Sequence, residues 1–64
     1  MQLSSFNFSH IKIGQHVRSF TLFTGLGTIV GLSPVNGVNM IEICLPNTRI
    51  IRVNHEFADQ LYFA

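Results

Sequence analysis

Charge is what this sequence has least of. Only 11% of its 64 residues are Asp, Glu, Lys or Arg, where a soluble domain carries about 25%. Four basic and three acidic residues leave a formal net charge of +1, too weak a field to hold nucleic acid or an anionic membrane by electrostatics alone. The one cysteine, Cys44, excludes an internal disulfide framework. His10 and His16 stand six apart across an expected turn, which is not a ligand spacing, so no metal is expected. No apolar run approaches the roughly 18 residues of a membrane span. The opening MQLSSFNFSHIKIG has no basic start, long apolar stretch or cleavage pattern of a secretory leader. The chain is therefore read as cytoplasmic, with no membrane partner. Nucleophile-elbow, P-loop and H-E-x-x-H spacings are missing too, and neither a cofactor nor catalytic activity is expected.

What is present is apolar surface. Hydrophobic residues make up 47% of the chain, yet a domain of this size buries only about 60% of its unfolded surface. Without disulfides or a metal, the usual remaining support for so small a core is oligomerisation. A single domain spanning residues 1–64 is expected, with residues 1–5 loose.

The apolar positions recur with a period of two, the signature of strands. Phe6 and Phe8 alternate with polar residues, the phase slips at Ser9-His10, and Ile11 and Ile13 resume it, which reads as strand with a bulge or corner. Further strands are expected over 16–20, 27–33, 38–45 and 49–54, with a short last one at 61–63. Ser33-Pro34-Val35-Asn36-Gly37 and Pro46-Asn47-Thr48 supply turns. Residues 55–60 have the spacing of one helical turn, capped by Asn54. Glycines at 25, 27 and 31 in a β-branched context mark a strand that bends or admits another backbone closely. These features predict an all-β, SH3-like small barrel of about five short antiparallel strands with one helical turn near the C-terminus.

Both faces of that sheet read as apolar. Ile41, Ile43 and Leu45 share one side of their strand, while Val38, Met40, Glu42 and Cys44 share the other. Ile29 points inward, leaving Thr28, Val30 and Leu32 outward; Ile51 and Val53 alternate with Ile50 and Arg52. An antiparallel sheet with one wet face alternates more cleanly. Either a terminus folds over the second face, or Val30, Leu32, Val38, Met40 and Ile50 form the interface of a homodimer or homotetramer. The second is favoured, because the chain is too short to cover itself.

Two families share short segments with this chain. Ile13-Gly14-Gln15-His16-Val17-Arg18 and, eight residues on, Gly27-Thr28-Ile29-Val30-Gly31 resemble the Tudor-type domains at the C-terminus of repair helicases. The same two segments resemble G-D-R-V-R and G-Q-I-V-G of the plasmid- and integron-borne type II dihydrofolate reductases, small SH3-like chains that assemble as homotetramers around a pore. Residues 45–52 are similar to that family's H-P-G-S-V-Q-I-Y. The likeness covers most of 14–61 and implies the fold and a symmetric assembly with the 49–54 strand near its centre. Its pore residues are not retained. The family's lysine falls on Ser19, its glutamine on Ile50 and its tyrosine on Arg52, and only Ile51 matches.

Candidate binding residues are Arg18, Phe20 and Phe23 near one loop and Arg49 and Arg52 on another strand. Basic residues interleaved with aromatics suit single-stranded nucleic acid, but phenylalanines without a polar handle more often plug the ends of a barrel. His55, Glu56 and Asp59 could be imagined as a base with carboxylates, yet on an exposed turn they read as solvated positions. The expected function is a non-catalytic, self-associating binding module that takes a protein or a small anionic ligand at a surface the oligomer creates. The alternative is a nucleic-acid-binding regulator using Arg18, Arg49 and Arg52. A third reading is a reductase of the type II kind with an altered pore.

Overall fold

The turn at Asn36-Gly37 sets the register of the sheet. Both residues take positive φ, 51° and 78°, as a two-residue hairpin loop of matching twist requires, and Val35 pairs with Val38 across it. From there the computed structural model, which describes residues 2–64, builds five antiparallel strands: β1 (His16–Ser19), β2 (Gly27–Val35), β3 (Val38–Cys44), β4 (Ile50–Asn54) and β5 (Leu61–Phe63). Their order in space is β4-β3-β2-β1-β5. Short 3-10 turns lie at Leu3–Ser5, Phe8–His10 and His55–Gln60, the last kinked at Phe57 and Ala58. The all-β class, with short antiparallel strands and a helical turn before the last one, is as expected.

Closure into a barrel is not found. β4 and β5 remain the two edges, with no ladder between them among the described residues. β5 is only three residues long, and its outer side is met by Gln2, which bridges Tyr62.

Alternation along β3 buries Ile41 and Ile43 completely. Their cross-strand partners Ile29, Ile51 and Val53 share that side. A bulge between Ile29 and Gly31 then shifts the phase of β2. One extra residue turns every later side chain to the other face, so Leu32 lands opposite Ile41 and packs on the core. The assignment of Leu32 to an outward interface is thereby corrected. An uninterrupted period of two puts it outside; the inserted residue, Val30, is what stays exposed.

The N-terminal segment also departs from the sequence reading. Phe6 and Phe8 belong to no strand. The Asn7 carboxamide oxygen accepts hydrogen bonds from the backbone N–H and hydroxyl of Ser9, at 3.2 and 3.1 Å, and a side chain that binds its own backbone this way favours a turn over a ladder. Nor are residues 2–5 loose. Leu3 is fully buried, Phe6 packs edge-on against Phe63 with ring centroids 4.6 Å apart, and His55 Nε2 lies 3.0 Å from the Leu3 carbonyl oxygen. Met1 lies outside the described residues. The whole segment covers the core side of the sheet, where Leu3 and Ile11 join Val17, Ile29, Ile41, Ile43, Ala58 and Leu61.

This placement has a measurable consequence. Leu3→Ala is expected to cost about 2–5 kcal/mol, the range for emptying a buried leucine site, in urea denaturation. A loose terminus would leave the midpoint unchanged.

Candidate functional site

The face opposite the core is built from side chains that the described residues leave exposed or half-buried. Cross-strand pairing sets out its rows: Thr28, Cys44 and Ile50; then Gly31, Glu42 and Arg52; then Ser33, Met40 and Asn54; then Val35 and Val38. Ile50 is 59% exposed and Val30 42%. Val38 and Met40 are half-buried and, with Ser33, Val35, Glu42 and Arg52, line an open groove of about 490 Å³. All five proposed interface residues are at least partly solvent-accessible, but Val38, Met40 and Ile50 lie on this face with the bulged Val30 exposed beside them, whereas Leu32 packs on the core side.

One ion pair crosses this face. Arg52 Nε donates to Glu42 Oε2 at 3.1 Å, with the arginine far more exposed than the carboxylate. Gly31 makes the geometry possible, since a Cβ there would collide with the Glu42 carboxylate. The carboxylate therefore lies over bare backbone of β2. In so exposed a pair the net stabilisation is small, on the order of 0–1 kcal/mol. Its effect is to leave this apolar face with no uncompensated charge.

The remaining candidates divide among other places. Phe23 packs over Gly27, its ring about 3.1 Å from where a Cβ would stand, and it plugs one end of the core. With Leu22, Thr24, Leu45, Pro46, Asn47 and Arg49 it lines a second cavity, of about 320 Å³. The hairpin behind Arg49 is tight. Thr48 N–H donates to the Leu45 carbonyl at 2.9 Å, Leu45 N–H donates to the Arg49 carbonyl at 2.7 Å, and Thr48 takes φ 69°. Phe20 does not plug the core; it is 84% exposed. Its ring meets Tyr62 edge-on, centroids 5.1 Å apart, and Tyr62 pairs across the ladder with Arg18. The fold thus joins Arg18, Phe20 and Tyr62, joins Phe23 with Arg49, and keeps Arg52 apart with Glu42. Tyr62 was missed because only strand pairing, not sequence distance, brings it to Arg18.

In the 55–60 turn the His55 side chain is used structurally, while Glu56 and Asp59 are exposed. His55 binds the Leu3 carbonyl and packs edge-on against Phe8, centroids 5.6 Å apart, and the Asn54 side chain caps the Glu56 N–H at 3.0 Å. Among the described residues no three of His, Cys, Asp and Glu gather as a metal site would require, and no helix is long and apolar enough to cross a membrane.

The site belongs to a small all-β domain of one five-stranded antiparallel sheet. Compared with protein-family models, curated proteins and solved structures, the chain matches none.

Gly31→Ala is expected to push the Glu42 carboxylate off Arg52 and to cost about 1–3 kcal/mol by overpacking. The Arg52 Nε–H proton resonance in that variant should match that of Glu42→Gln. An unshifted resonance would mean that the glycine has no part in the pair.

Proposed function

We propose that the chain is a non-catalytic, SH3-like binding module that associates with itself through the outer face of β2, β3 and β4. The observation that carries this reading is where the N-terminal segment goes. It packs on the core side, with Leu3 and Ile11 in the core, so Val30, Val35 and Ile50 stay exposed around the groove of Val38 and Met40. A second copy is the occupant that suits this face. Each copy carries one acid and one base already paired, Glu42 and Arg52, so a second copy can pack there without leaving a charge unpaired. The ligand-binding role would follow from assembly, which would gather several copies of Arg49 near one centre and so attract a protein or a small anion, Arg52 being compensated by Glu42.

Light scattering on the size-exclusion eluate tests the assembly. The expected mass is two or four chains at high concentration. Met40→Glu, which places a carboxylate beside Glu42, is expected to weaken association about tenfold or more, tenfold being 1.4 kcal/mol. A single-chain mass for the unmodified protein at every concentration overturns the reading.

One observation favours a second reading. The exposed Phe20, the half-buried Tyr62 and the exposed Arg18 set an aromatic pair beside a cation, the elements of a stacking platform for single-stranded nucleic acid. Labelled single-stranded oligonucleotides would then bind more weakly as salt rises, and Phe20→Ala would weaken binding at all salt concentrations, a base stack contributing about 1–3 kcal/mol. Absence of binding at low salt removes this reading and leaves the first intact.

A further inference from the structure

The two edges of the sheet are not equivalent. β5 is met by Gln2, which bridges Tyr62 and whose side-chain amide donates to the Asp59 carbonyl at 2.8 Å. Among the described residues no such segment lies along β4, whose one ladder there is with β3.

The direction of β4's backbone groups follows from the hairpin. Leu45 N–H donates to the Arg49 carbonyl, so Leu45 and Arg49 are a hydrogen-bonded pair. Bonded and non-bonded pairs alternate along an antiparallel ladder, which makes Cys44–Ile50 non-bonded, Ile43–Ile51 bonded and Glu42–Arg52 non-bonded. The far side of β3 agrees. Ile29, opposite Ile43, sends its N–H to Gln15 and accepts from Gly14, both away from β3. Ile51 and Val53 therefore bind β3, while the N–H and C=O groups of Ile50, Arg52 and Asn54 point out of the sheet.

From this we infer that β4 pairs antiparallel with β4 of a second copy about a two-fold axis at Ile51, joining two sheets into one. Registry is set by charge. Only residues with outward backbone groups can exchange bonds, so the bonded pairs are drawn from Ile50, Arg52 and Asn54. A two-fold at Arg52 sets two guanidinium groups opposite each other, a destabilising like-charge pair. A two-fold at Val53 leaves Ile50, the most exposed apolar residue of the strand, outside the ladder. A two-fold at Ile50 or Asn54 leaves a single bonded pair within the strands. A two-fold at Ile51 has none of these faults. It places Ile50 opposite Arg52 of the partner subunit, twice by symmetry, and each pair exchanges both backbone bonds. The arginine stem then covers the Ile50 side chain, and its guanidinium keeps Glu42 of its own chain. A charged side chain ordinarily guards a free edge; here Glu42 neutralises it.

The inference deepens the self-association reading and rests on it in naming a second copy as the occupant. Its decisive readout is amide exchange followed by NMR at concentrations below and above assembly. In the dilute chain Ile50 and Arg52 amides should exchange fast while Ile51 and Val53 stay protected. On assembly, protection at Ile50 and Arg52 should rise about tenfold or more, as closed hydrogen bonds require. Ile50→Pro removes one outward N–H at the first residue of an edge strand, where proline is tolerated, and should weaken assembly where Ile50→Val does not. If that variant fails to fold, exchange in the unmodified chain still decides. Assembly without new protection at Ile50 and Arg52 overturns edge pairing and leaves the outer-face reading standing. No assembly at all overturns both.

Discussion

One sheet has two sides, and the described residues ahead of β1 pack toward one of them. That constraint organises the molecule. The residues ahead of β1 fold into 3-10 turns and an irregular strap over the core side, where Leu3 and Ile11 bury completely or nearly so. Phe6 and Phe8 pack there on Phe63 and His55. With the strap on that side, the described residues leave Val30, Val35 and Ile50 exposed on the outer face of β2, β3 and β4. Its apolar residues stay accessible, and the pair of Glu42 and Arg52 is the only ion pair found among the described residues.

Much of the sheet was legible in the sequence because it depends on local chemistry. Asn36-Gly37 supplies two left-handed residues in succession, and few pairs do so as readily. The alternation in 38–44 separates Ile41 and Ile43 from Met40 and Glu42 as a period of two demands. Asn54 caps the turn that follows it. What was not legible depends on distant parts of the chain. The phase of Leu32 turns on a bulge that nothing near it in sequence announces, apart from the glycine that follows the bulged residue. Phe6 and Phe8 have strand spacing, but Asn7 turns its own backbone. Barrel closure was expected from the glycines, whereas the edge of β5 is met by Gln2 from the far end of the chain.

The candidate site was legible in part for the same reason. Composition pointed to an uncovered apolar face, and Val30, Val38, Met40 and Ile50 do stand at least partly open on it. The basic and aromatic candidates were grouped by sequence proximity. Folding regroups them: Phe23 goes to the core and Arg49 to the loop beside it, Phe20 turns outward to Tyr62, and Arg52 is neutralised by Glu42. Gly31 shows how little of this is visible beforehand. Read as a bend in a strand, it turns out to be the bare backbone on which a carboxylate rests.

The bridge between Gln2 and Tyr62 has a consequence best put in the language of polymer chemistry. A sheet with two open margins is a bifunctional monomer, and step-growth from both ends yields filaments of unlimited length. On the proposed edge pairing, the margin capped by Gln2 would leave each unit a single reactive end, and coupling would terminate as soon as two units met. A few residues at the start of the chain would then decide whether growth stops at a discrete particle or runs on into a fibre.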